Sequence, residues 1–168
     1  MNERLATLLG CCVMLSTLAA TAAAPSIAVP AGQQVVLTVE GHGVQIYRCE
    51  QSADATNWAF VAPEAQLYAK GELVGTHGAG PMWTYKDGST VSAKMVASVP
   101  SPDAGAIPLL LLKSSSSSGS GLLTQVSYIQ RTATQGGQAP KQGCVSAPVG
   151  TILRVPYAAT YIFYAPAK

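Results

Sequence analysis

From Gln34 onward apolar residues recur at every second position in short runs, and no stretch sustains the i, i+3, i+4, i+7 spacing of a helix face. Side chains of a strand point alternately to the two faces of a sheet, so this pattern commits the chain to β-structure. Strands are expected at 34–40, 43–49, 57–62, 65–71, 82–86, 89–99, 107–113, 122–132, 151–157 and 159–165. Turn residues punctuate them at Gly41 to Gly43, Pro63, Gly71, Asp87-Gly88, Pro100 to Gly105, Ser114 to Gly121, Gly136 to Gly143 and Gly150. Many short strands so spaced predict an all-β fold, an antiparallel β-sandwich or a closed β-barrel, and alternation does not choose between them.

Three segments stand apart. Leu109 to Leu112 is an unbroken leucine run, expected to be a strand buried on both faces. The serine run from Ser114 to Gly121 is expected as an exposed hairpin loop, and Thr132 to Cys144 as a long polar loop of the kind that often carries function.

The N-terminus has Arg4, an apolar run from Leu5 to about Ala20 and small residues to Ala24, the pattern of a secretory signal peptide over residues 1–23. The run falls short of the roughly 20 residues of a membrane span, and Leu8 to Cys11, read as a lipoprotein box, has almost no apolar segment before it. No stable membrane anchor is therefore expected. Residues 24–168 form one β-rich domain of about 145 residues, exported to the periplasm or the medium.

Cys11 and Cys12 leave with the leader, and an exported pair with no other partner, Cys49 and Cys144, most simply forms a disulfide. The alternative is a two-thiol metal site, which lacks both a CxxC and the roughly four ligands zinc takes. No metal or cofactor is expected. Charged residues make up only 11% of the chain and are spread singly, so there is no basic stripe for nucleic acid.

The densest cluster of chemistry-bearing residues is His77 to Val91, HGAGPMWTYKDGSTV. Asp87-Gly88 predicts a hairpin. A two-residue loop pairs Trp83 with Ser92 and lines Trp83, Tyr85, Thr90, Ser92 and Lys94 along one exposed face, a surface suited to a sugar ring or a planar aromatic acid. A three-residue loop with a bulge shifts the register and sends Trp83 into the core. His77 is either a ligand contact or general base, or a residue bonded to one backbone carbonyl at a strand end. Asp87 has a turn role of its own, and His42 reads as a turn residue. No GxSxG, HExxH, Walker or dinucleotide motif is present, nor a close acidic pair for glycoside chemistry.

The succession VPAG (29–32), GVQIYRC (43–49), W-x-F-x-A-P-E-A-x-L (58–67), H-x-x-G-P-x-W (77–83), DGSTV (87–91), SVPSPDAGAIPLLLLK (98–113), VSYIQRTATQGGQAP (126–140), GC (143–144) and VPYAATYIFY (155–164) resembles the secreted bacterial and fungal family known as domain of unknown function 3455. The resemblance implies an exported domain with Cys49 and Cys144 at the family's cysteine positions. It also implies that His77, Gly80, Pro81, Trp83, Asp87 and Gly88 form its central motif. Ala69 and Leu109 depart from it, the latter where a tryptophan is expected. A malate dehydrogenase label carried by some fungal relatives finds no support in a chain without Rossmann alternation.

The leading expectation is a non-enzymatic module that binds a small molecule or glycan through His77, Trp83, Tyr85, Asp87 and Lys94. The alternatives are a hydrolase of unrecognised class with His77 as general base, and a structural or stress-related envelope protein. The sequence does not specify an oligomeric state.

Overall fold

The structure, a computed structural model, describes residues 26–53 and 55–168, so the expected leader at 1–23 lies outside the described residues. Eight strands run in order: β1 (Gln33–Gln51), β2 (Thr56–Ala69), β3 (Glu72–Gly78), β4 (Met82–Tyr85), β5 (Thr90–Val99), β6 (Leu109–Ser118), β7 (Tyr128–Gly136) and β8 (Ile152–Pro166). Each pairs antiparallel with its chain neighbours, and β8 pairs back onto β1, so the sheet closes into a barrel. The fold is all-β, and of the two architectures left open it is the barrel. Register shifts at Ile46/Tyr47, Leu67/Tyr68, Met95/Ala97 and Thr132/Gln135 bend the strands enough to bring the sheet round on itself.

The ten expected strands become eight through three mergers and one omission. Segments 34–40 and 43–49 are one strand, because Gly41 and Gly43 serve close packing rather than a turn. A Cβ on Gly41 would stand 2.6 Å from the Tyr161 ring, and one on Gly43 would collide with the Glu64 carbonyl oxygen. His42 is therefore an exposed strand residue, edge-on to Tyr68, and not part of a turn. Pro63 lies within β2, in the stretch paired to β1 alone, where a missing N–H interrupts no ladder with β3. Segments 151–157 and 159–165 likewise join as β8. The omitted strand is β3, whose glycines read locally as breaks. Gly75 in fact faces the Thr84 carbonyl too closely for any side chain.

Two further corrections concern β6 and its sequel. Ser114 to Ser118 continue the strand instead of forming a loop, because the β5 ladder satisfies their backbone whatever their side chains. Ser115 Oγ donates to the Ser92 carbonyl at 3.2 Å, and Thr90 and Ser118 hydroxyls pair at 2.7 Å. Residues Leu122–Gln125, expected as strand, form a 3₁₀ turn that packs on β4, β5 and β6 with Leu123 buried. Leu111 and Leu112 are both buried though they point to opposite faces, as the leucine run implied.

The core fills the barrel. On β8 every second residue from Tyr157 to Ala165 is buried, and Tyr161 and Phe163 meet Val39, Leu67, Val74, Val91 and Ile129 from the other walls. The 3₁₀ turn stoppers one end. At the other end the β3–β4 turn, the β5–β6 loop and the long β7–β8 loop gather. There Cys49 and Cys144 form the expected disulfide, with Cα atoms 5.7 Å apart, tying the β7–β8 loop to β1. No helix among the described residues is long and apolar enough to cross a membrane.

Candidate functional site

The open end of the barrel leads into a cavity of about 540 Å³. Its floor is aromatic. His77 and Trp83 are directly opposed in the β3–β4 ladder, and opposed residues share a face, so their rings meet inside the barrel. The planes lie 7° from parallel with centroids 4.3 Å apart, and Tyr161 stands edge-on to both at 5.1 and 5.7 Å. The mouth is flanked by exposed Phe60, Val61 and Met95.

Trp83 is inside because the Asp87-Gly88 hairpin adopts the three-residue loop. Tyr85 pairs with Ser89, its N–H donating to the Ser89 carbonyl at 3.0 Å, and Gly88 takes φ +85° in the bulge position. The register then sets Trp83 opposite Val91 instead of Ser92. The expected exposed face of Trp83, Ser92 and Lys94 is thereby corrected: Trp83 is 1% exposed, and Lys94 points outward from the other side of the sheet. Tyr85 packs against the core below Trp83, at the stoppered end.

Asp87 belongs to neither face. Its carboxylate accepts from the Ser89 N–H at 2.9 Å, the Ser89 hydroxyl at 2.6 Å and the Leu122 N–H at 2.8 Å, pinning the 3₁₀ stopper to the β4–β5 turn. These bonds, the Ser89 hydroxyl foremost, hold its pKa below the ordinary value. Of the five expected binding residues, the structure brings together His77 and Trp83 and leaves Tyr85, Asp87 and Lys94 outside the cavity.

His77 is 4% exposed. Burial pulls its pKa down to about 4, a hydrogen bond to Met82 opposes this, and the positive charge of Arg131 reinforces it. The ring is neutral at pH 7. Its Nδ1 lies 3.0 Å from the Met82 carbonyl oxygen, which can only accept, so Nδ1 carries the proton and Nε2 keeps a free lone pair. A base of that strength is poorly matched to proton abstraction near neutrality, but the ring serves well as a flat hydrogen-bond acceptor.

Three residues that motif reading passed over complete the site: Gln45 on β1, Arg131 on β7 and Tyr161 on β8. Tyr161 and Tyr157 share a hydrogen bond of 3.0 Å, and burial raises both phenol pKa values, so both stay protonated. Gln45 Nε2 and Trp83 Nε1 are buried with no hydrogen-bond partner among the described residues. Arg131 is detectable in principle: it lies two residues past buried Ile129, so strand parity turns it inward.

The cavity wall is braced by its loops. Tyr47 Oη donates to the Gly137 carbonyl at 2.7 Å, Gln138 Nε2 to Ala106 at 2.6 Å, and Ile107 N to Gly136 at 2.8 Å. A second depression, of about 580 Å³, lies beside His42 and Thr84. Its Arg154 and Glu64 already pair at 2.7 Å, so it offers less unmet chemistry. No group of three or more potential metal ligands occurs among the described residues.

Fold and cavity together define a disulfide-tied up-and-down β-barrel, stoppered at one end and open at the other. The sequence matches the family model described as Protein of unknown function (DUF3455) over residues 30–72 and 68–165, and the chain belongs to that family. No curated protein and no solved structure matches it.

Proposed function

We propose that the protein is a binding module that takes up a small, flat, largely apolar molecule in the open end of its barrel. The observation that carries this reading is the aromatic-floored cavity of about 540 Å³, within the range of small-molecule pockets. A neutral imidazole stacked on an indole offers a planar ligand an edge and a lone pair, and the braced loops keep the mouth preformed. The disulfide and the leader pattern support export, so the module would act outside the cytoplasm.

A metabolite and glycan thermal-shift screen on the leaderless protein tests this reading. A ligand at a hundred times its dissociation constant adds about 2.7 kcal/mol of stability. Ser98→Trp, at the exposed mouth, should abolish the shift while leaving the apo protein folded. A hit that binds Ser98→Trp as well as wild type, or a screen with no hit in either class, overturns the proposal.

A further inference from the structure

We infer that the ligand of this cavity is an anion, a planar aromatic or unsaturated carboxylate whose acid group meets Arg131. The inference rests on the binding reading above and adds the ligand's charge. Among the described residues, Arg131 is the one Lys, Arg, Asp or Glu side chain lining the cavity. The ion pairs among the described residues are His42 with Glu40 and Arg154 with Glu64, so the Arg131 guanidinium faces no carboxylate.

Arg131 is nonetheless held in place. Its Nε and one terminal nitrogen both donate to the Pro108 carbonyl, at 3.1 and 2.9 Å, which fixes the plane of the fork beside the Tyr161 hydroxyl. A guanidinium already oriented loses little freedom when a carboxylate docks on it, and such charge-assisted pairs are among the stronger hydrogen bonds.

A second observation points the same way. Gln45 and Trp83, which line the cavity on side chains 2% and 1% exposed, each carry a buried donor, Nε2 and Nε1, with no hydrogen-bond partner among the described residues. Buried donors left unpaired are costly, so these two favour a guest that brings acceptors, while the His77 Nε2 lone pair beside them takes a donor. The neutral His77 ring adds no competing charge. The stacked floor sets the shape of the guest's body, and the donors together with Arg131 set the charge of its head.

The test uses benzoate, cinnamate and 2-naphthoate, each beside its primary amide, titrated calorimetrically into the leaderless protein. At least one acid should bind tenfold or more tighter than its amide, and Arg131→Met should bring that pair to within about threefold. Arg131→Lys keeps the charge without the fork, so it should fall between. If Arg131→Met fails to fold, the acid-to-amide ratio on the wild type and on Arg131→Lys decides the matter. Amides that bind as tightly as acids, or an acid preference that survives Arg131→Met, overturn the inference while leaving the cavity a binding site. Six compounds that all fail to bind at millimolar concentration count against the inference, and a blank metabolite and glycan screen alongside counts against the binding reading too.

Discussion

The imidazole of His77 lies flat on the indole of Trp83 inside the barrel, 4.3 Å from centroid to centroid, as one of the cross-strand pairs that join β3 to β4. That contact makes the His-to-Trp motif an interior feature, with consequences for stability and for pH.

Trp83→Ala should lower unfolding free energy by about 3–5 kcal/mol, because it empties the space of a buried indole and strips His77 of its stacking partner. Trp83→Phe keeps a ring against His77 and should cost less than half as much. Chemical denaturation of both variants measures this, and a surface indole would give a change within about 0.5 kcal/mol for either.

His77 should make the protein acid-sensitive. Its pKa is near the ordinary 6.5 in the unfolded chain and about 4 in the fold, so between these values the unfolded state binds the extra proton. The stability it supports is complete above pH 6.5 and falls as pH drops, by about 3 kcal/mol at pH 4. His77→Phe keeps the stack without a titrating group and should flatten that interval. Denaturant midpoints at pH 7.5, 5.5 and 4.5 decide it.

Gly43 in β1 and Gly78 at the end of β3 should respond differently to a methyl group. Gly43→Ala drives a methyl into the Glu64 carbonyl and the Ala65 backbone and should cost about 3 kcal/mol or prevent folding. Gly78→Ala meets nothing within 4 Å and should stay within about 0.5 kcal/mol of wild type. Thermal melts of the pair provide the comparison.

Removing the disulfide with Cys49→Ala and Cys144→Ala should cost about 4 kcal/mol, since the bridge closes a span of 95 residues. The first effect should be local. Backbone amides in 137–151 should exchange faster by hydrogen–deuterium mass spectrometry, while those of Ile129 and Phe163 stay protected.

Asp87→Asn weakens acceptance from Ser89 and Leu122 and should release the 3₁₀ stopper, seen as faster exchange at the Leu122 and Leu123 amides. Because the folded carboxyl pKa is depressed, its contribution is present above the ordinary aspartate value and is lost as pH falls through the lower folded one.

The sequence alone determined that this chain is β-structured, that Cys49 and Cys144 are its available pair once a leader is assigned, and that Trp83 and the Asp87-Gly88 turn belong to one hairpin with His77 just before it. These are local statements: alternation, turn chemistry and cysteine arithmetic each act over a few residues or a simple count. Tertiary structure decided the face on which Trp83 lies, since one added residue in the Lys86 to Gly88 loop reverses every side chain of β4 relative to β5. It also decided what Gly41, Gly43 and Gly75 are for, because the atoms that forbid a side chain there come from Tyr161, Glu64 and Thr84, on other strands. Arg131 and Gln45 reach the floor set by His77 and Trp83 only because β8 closes on β1, and ring closure depends on pairing between residues more than a hundred positions apart, which no local pattern records.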